Sequence, residues 1–244
     1  MNKIELLQKL INASNNIVVM TGAGFSKASG IPDFRSADGL YNDKDNRKIS
    51  PEEILSHHYF MAHPTDFYKF YFDKMIYKDA LPNVGHYKLA ELESCGKLKA
   101  IITQNIDGLH QMAGSQEVLE LHGSVKRNHC MKCHTFYSLD EMLDNNNMTK
   151  CPNCGGLIKP DVVLYEEGLD MTLLNETIKR VVNAEMLIII GSSMVVNPAA
   201  SLPYYYRGNK MVIINLEKTP LDDYACLVIN EKCEDVLSKL KVKE

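Results

Sequence analysis

Apolar residues in this chain fall into short dense runs, and the segments between those runs change to helical spacing. Ile17 to Met20, Lys99 to Ile102 and Met186 to Ile190 are runs of strand length, each followed by glycine or polar residues. Such runs, bounded by turn chemistry, predict buried strands. The pattern places strands at 17–21, 99–103, 162–165, 186–191, 211–215 and 226–230. Helical spacing covers 64–79, 85–95, 171–183, 199–206 and 232–241. A first helix places Ile4, Leu7, Leu10 and Ile11 on one face. Ser50-Pro51-Glu52-Glu53 reads as a helix start, with a Ser cap, Pro in the first turn and Glu at the third helical position. Strands separated by helices predict an α/β fold with a parallel sheet covered on both faces. Two stretches, 36–79 and the cysteine-bearing 125–160, interrupt the alternation and read as insertions that form a small second lobe.

Composition narrows the function. The 244 residues are 45% hydrophobic and 24% charged, enough for one large domain with a real core. A net charge of -4 gives no basic balance toward nucleic acid or an anionic membrane surface. The amino-terminal helix lacks the long apolar core of a signal peptide, and no apolar run is long enough to span a bilayer. The expectation is a cytoplasmic protein. Four of the seven cysteines form Cys130-x-x-Cys133 and Cys151-x-x-Cys154. Two such pairs, with three scattered cysteines and no signal peptide, argue for metal rather than disulfides. Four thiolates complete a tetrahedral zinc site with no open position, so the zinc is expected to be structural. His129 and His134 lie beside the pairs but are not needed. A nucleic-acid-binding ribbon is disfavoured, because the segment between the pairs carries Asp140, Glu141 and Asp144.

Candidate chemistry sits at the ends of predicted strands, where open α/β sheets bind nucleotides. The turn Gly22-Ala23-Gly24 lets the backbone approach a pyrophosphate ahead of a helix. Lys27 stands where the dinucleotide fingerprint has a third glycine, and an ordinary strand-to-helix turn fits the three residues equally well. After strand 99–103, Gln104, Asn105 and Asp107 offer two amides and a carboxylate able to orient a ribose, a carboxamide or a water. One of them can serve as a helix cap, but a cap uses one residue. His122 follows a short apolar strand and has the chemistry for proton transfer near neutral pH. The histidines at 57, 58, 63, 86 and 110 read as surface or packing residues. Gly191-Ser192-Ser193 and Asn215 repeat the strand-end pattern.

As an ordered set, these motifs and Gly30-Ile31-Pro32-Asp33-Phe34-Arg35 resemble the sirtuin family of NAD-dependent protein-lysine deacylases over nearly the whole chain. The resemblance implies a Rossmann-like NAD-binding domain from 1–35, 80–124 and 161–244. It implies a helical module from 36–79 and a zinc module from 125–160. It assigns NAD contacts to Gly22, Ala23, Gly24, Lys27, Phe34, Arg35, Gln104, Gly191, Ser192, Ser193, Asn215, Leu216 and Asp235. Asn105, Ile106 and Asp107 would line the nicotinamide pocket, and His122 would be the general base on a ribose hydroxyl, with Asn105 and Asp107 beside it in catalysis. An acyl-lysine peptide would lie between Val162-Val163-Leu164 and a stretch including Val195 and Val196. The products would be nicotinamide, free lysine and an acylated ADP-ribose. Glu166 stands where the family often has glycine. Tyr68 and Tyr71 match a Tyr-x-x-Arg pair that takes acidic acyl groups, without its arginine, which implies uncharged acyl substrates. The competing readings are an ADP-ribosyltransferase or NAD glycohydrolase using the same pocket, and a non-catalytic NAD-sensing or zinc-ribbon module.

Overall fold

The computed structural model describes residues 1–33 and 49–242. Phe34 and Arg35 therefore lie outside the described residues. The first half of the chain runs through α1 (Lys3–Asn12), β1 (Ile17–Thr21), a 3-10 helix at Ala23–Ser29, α2 (Pro51–Ile54), α3 (His57–Ala62) and α4 (Pro64–Lys74). It continues with α5 (Val84–Ser94), β2 (Leu98–Thr103), α6 (Leu109–Met112), β3 (Val118–Glu120) and β4 (Gly123–Cys130). The second half comprises β5 (Phe136–Ser138), α7 (Leu139–Asp144), β6 (Ile158–Val162), α8 (Met171–Asn183), β7 (Met186–Ile190), a 3-10 helix at Ala199–Tyr205, β8 (Met211–Ile214), β9 (Leu227–Ile229) and α9 (Cys233–Ser238).

The large sheet has the order β3-β2-β1-β7-β8-β9, and every pairing is parallel. Alternate residues of a strand face opposite sides, which splits each apolar run between two cores. Ile17, Val19, Ile188 and Ile190 join Leu7 of α1, Leu89 of α5 and Val236 of α9 on one face. Val18, Met20, Leu187 and Ile189 join Val181 of α8 and Leu202 on the other. The chain leaves β1 toward β2 on one side, and β7 pairs with β1 on the other. A reversal of strand order at adjacent strands opens a crevice at their carboxyl ends, and here it lies between β1 and β7.

A third cluster joins Phe60, Phe67 and Tyr71 to Tyr137, Met142 and Ile158. Phe60 and Phe67 meet edge to face at 4.8 Å. Ring packing is thus what most of the aromatic residues of α4 contribute.

Three expected elements differ. The strand anticipated at 162–165 in the parallel sheet is instead β6, ending at Val162 and antiparallel to β4 in a three-stranded sheet β5-β4-β6. The apolar run Val162-Val163-Leu164 signals burial but carries no information on the pairing partner, which the cysteine-bearing hairpin supplies. The helix expected to reach residue 79 ends at Lys74. Residues 199–205 form a 3-10 helix because Pro203 lies inside the segment and donates no backbone hydrogen bond. Among the described residues, no helix is long and apolar enough to cross a membrane.

Candidate active site

A cleft of about 880 Å³ follows the carboxyl ends of β1, β2, β7 and β8 and continues along residues 162–167. Its floor is set by glycine. A Cβ at Gly22 would stand 2.7 Å from Ser192 Cβ, and one at Gly24 would stand 2.9 Å from the Gly191 carbonyl oxygen. Gly191 adopts φ +60°, and a Cβ there would lie 2.4 Å from the Phe25 nitrogen. The β1 and β7 turns therefore touch backbone to backbone, as a site that seats a pyrophosphate against main chain requires. The donors and the volume fit a dinucleotide.

The β2 end supplies the polar wall. Gln104 N–H donates to the Thr21 carbonyl oxygen at 3.0 Å, and its side-chain amide donates to Ser192 Oγ at 3.0 Å. Asn105, 8% exposed, donates through Nδ2 to Ser26 Oγ at 3.0 Å. Ser26 in turn donates to Asp107 Oδ2 at 2.7 Å, and Asp107 Oδ1 accepts the Leu109 N–H at 2.9 Å. Burial raises the Asp107 carboxyl above its ordinary range, and the Leu109 and Ser26 donors oppose that.

His122 faces the same cleft. Its Nδ1 lies 3.0 Å from the Gln104 carbonyl oxygen. A carbonyl only accepts, so Nδ1 holds the proton and Nε2 keeps its lone pair. Burial pushes the imidazole below its ordinary value, with the Gln104 bond opposing, and His122 is neutral at pH 7. The His122 carbonyl oxygen accepts the Val163 N–H at 3.0 Å, which ties the histidine to the β6 edge.

The expected residues distribute unevenly. Gly22, Ala23, Gly24, Lys27, Gln104, Asn105, Ile106, His122, Val162, Val163, Leu164, Gly191, Ser192, Ser193, Val196, Asn215 and Leu216 all line the cleft. Asp107, Val195 and Asp235 are not among its lining residues. The Asp107 carboxylate bonds Ser26 and the first N–H of α6, but the N-cap position of that helix is Gly108, without a side-chain cap, so the capping role considered for Asp107 is not what it does. Lys27 stands 3.4 Å from Asp33. Sequence reasoning did not place Leu55 and Met75 in the lining, because they come from the helical insertion, whereas Tyr71 of the same insertion was singled out by the resemblance. It also missed Glu231 and Glu234, although they follow β9 and the strand-end rule reaches them.

The four cysteines of the two pairs converge, with all sulfurs within 4.8 Å of one another. Cys130 and Cys154 Sγ lie 3.4 Å apart, and Cys133 and Cys151 Sγ 3.6 Å. Four sulfurs on one zinc at about 2.3 Å stand roughly 3.8 Å apart, so this set fits zinc with slight expansion. A Cβ at Gly156 would come within 2.9 Å of Cys130 Sγ, so only glycine clears the cradle. The cluster belongs to the β4–β6 module, away from the cleft lining, as a structural metal would.

Comparison with known proteins agrees with this geometry. The Sir2 family model matches residues 22–198. An NAD-dependent protein deacetylase of Clostridium tetani is 55% identical over 232 residues, 95% of this chain and 94% of that protein. A Sir2 structure with a deacetylated p53 peptide and 3'-O-acetyl-ADP-ribose superposes with a TM-score of 0.89 at 38% identity, covering 97% of this chain and 96% of the other. A Sir2–p53 peptide–NAD+ structure gives 0.85 at 39% identity, covering 98% and 97%. The fold and cleft define an NAD-using α/β enzyme with a zinc module, and the chain belongs to the Sir2 family.

Proposed function

We propose a division of labour in this cleft for NAD-dependent removal of acetyl groups from protein lysines. The observation that carries it is His122, whose Nε2 is left basic and neutral in the same cleft as the glycine turn. When bound, NAD supplies a ribose with nicotinamide as leaving group and a hydroxyl that receives the acyl group. Gly22, Ala23, Gly24, Ser192, Ser193, Asn215 and Leu216 seat the dinucleotide, with Lys27, Phe34, Arg35, Gly191 and Asp235 in the same set. Asn105, Ile106 and Asp107 line the nicotinamide end, Gln104 adds a contact to the dinucleotide, and Asp107 also accepts the Ser26 hydroxyl that in turn holds Asn105. His122 takes a ribose hydroxyl proton at Nε2, while Gln104 holds its other nitrogen. The products are nicotinamide, free lysine and O-acetyl-ADP-ribose.

The peptide backbone adds as a strand between Val162-Val163-Leu164 and the stretch carrying Val195 and Val196, a mode that tolerates varied sequence. Among the described residues the cleft lining includes Leu55, Tyr71, Met75 and Ile106 and no arginine, and the Tyr68 hydroxyl is occupied by the Ile158 carbonyl oxygen. Uncharged acyl groups fit that lining. The two-lobe division at 1–35, 80–124 and 161–244 against 36–79 and 125–160 belongs to the same reading. So do a cytoplasmic location, which suits thiolates held as metal ligands, and the lack of nucleic-acid and membrane partners.

The test is mass spectrometry of an acetyl-lysine peptide incubated with and without NAD, beside His122→Ala. NAD-dependent deacetylation with nicotinamide and acetyl-ADP-ribose formed, lost in the variant, is expected. Cleavage of NAD with the peptide still acetylated would move the function to ADP-ribosyl transfer or NAD hydrolysis. Faster removal of succinyl than acetyl would overturn the uncharged-acyl preference.

A further inference from the structure

His110 takes no part in the cleft lining, yet it is 1% exposed and lies directly behind the β2 end. Its Nε2 is 2.9 Å from Thr21 Oγ1. Thr21 Oγ1 gives its own proton to Thr103 Oγ1 at 2.9 Å, so Nε2 is the donor and Thr21 the acceptor. Thr103 Oγ1 accepts the Asn105 backbone N–H at 3.1 Å. Thr21 and Thr103 are register partners across β1 and β2. One continuous chain of hydrogen bonds thus runs from the His110 ring to the backbone of Asn105. From the Asn105 side chain it continues to Ser26 and Asp107.

The ring is held on its other sides. Phe25, in the 3-10 helix after the glycine turn, stacks on it at 5.3 Å with 22° between planes. His86 of α5 stands 4.8 Å away by ring centroid. Asn83 N–H donates to His86 Nδ1 at 3.2 Å, which places the His86 proton on Nε2. Among the described residues neither ring meets a carboxylate in a hydrogen bond, and burial holds both neutral. A protonated His110 would still donate from Nε2, so the positional role depends on the bond and not on charge.

We infer that His110 is a positioning residue for the deacetylation proposed above. It fixes the Thr21–Thr103 hydroxyl pair and so the backbone from which Asn105 enters the cleft. The alternative is that the ring only fills space. The two differ in one property: a space-filling ring is replaced by any ring, whereas a relay needs a donor at the far end of the side chain. His110→Phe keeps the ring without the donor. His110→Gln keeps an amide donor near the Nε2 position. Thr21→Val breaks the same relay without touching the ring, so an answer remains if a His110 variant does not fold.

The experiment measures kcat and the NAD KM on an acetyl-lysine peptide. It also records the Asn105 backbone amide resonance and the melting temperature in NAD-free protein. A relay predicts a kcat loss of about tenfold in His110→Phe and in Thr21→Val, with the NAD KM altered less than about twofold. The double variant should fall no further, because both break one chain. His110→Gln should recover most of the loss. The Asn105 resonance should shift in the Phe and Val variants and return in Gln. Unchanged kcat with a lowered melting temperature, independent losses that multiply, or an Asn105 resonance indifferent to all three changes would overturn the inference. A wild-type chain inactive on acetyl-lysine, with the Asn105 resonance still responding, would overturn the proposed function and leave the relay standing.

Discussion

Acidification should weaken the fold through two interior histidines before it titrates most carboxylates. His86 is 0% exposed and His110 1%. Burial lowers the first to about 4 and the second to about 3, from 6.5. The sign follows from proton counting. Between the unfolded value of 6.5 and these folded values, the unfolded chain binds protons that the folded chain excludes, so stability rises with pH across that range. It is fully present above about pH 7.5 and falls as pH drops below 6.5. At pH 5 each unfolded imidazole gains about 2 kcal/mol from protonation while the folded ones gain almost nothing, so the pair removes about 4 kcal/mol relative to pH 8. Against a total stability of about 5–15 kcal/mol that is a large fraction. The assay is urea unfolding from pH 8 to pH 4.5 with zinc present, on wild type, His86→Asn and His110→Gln. Acid release of zinc affects all three alike and cancels in the comparison. Each variant should flatten the pH slope by about 1.4 kcal/mol per pH unit near pH 5. If the three slopes coincide, the two imidazoles do not titrate between folded and unfolded states as argued.

Three further outcomes follow from the same contacts. The kcat/KM profile should show an acidic limb below pH 6.5, because His122 must be neutral at Nε2 and its value is lowered; the limb should lie below that of a free imidazole, and a limb above pH 7 would contradict this. Gly191→Ala should weaken NAD binding in calorimetry by tenfold or more, since its Cβ would lie 2.4 Å from the Phe25 nitrogen at φ +60°; unaltered affinity would remove the close approach from the argument. Chelation of zinc should lower the melting temperature and disorder the β4–β6 module, whose two cysteine pairs are joined by no disulfide; an unchanged spectrum for Tyr137 and Met142 would speak against a structural metal.

Much of the site was legible because strand-end chemistry is local. Gly22, Gln104, His122, Ser192 and Asn215 each follow an apolar run, and in a parallel sheet those ends converge. The aromatic cluster at 67–72 was legible as packing for the same reason. Asp107 was less so. Its type and spacing fit both a pocket residue and a cap, and only the tertiary structure shows that its carboxylate accepts from the Ser26 hydroxyl and the Leu109 N–H. Leu55 and Met75 come from the helical insertion, whose apolar residues look alike whether they face a core or a ligand.

By itself the sequence determined the parallel α/β alternation, the four-cysteine metal set and the family, all of which rest on residue type at short spacing, whereas the contact of the Gly22 and Gly191 turns is tertiary. The tertiary structure alone decided that β6 pairs with β4 rather than joining the large sheet, and that the Asp107 carboxylate meets Ser26 and Leu109. It also decided that His86 and His110 are sealed beside Phe25 rather than lying at the surface. The reason is physical: periodicity reports which side of a segment is apolar, whereas pairing partner, desolvation and hydrogen-bond direction depend on groups contributed by distant parts of the chain.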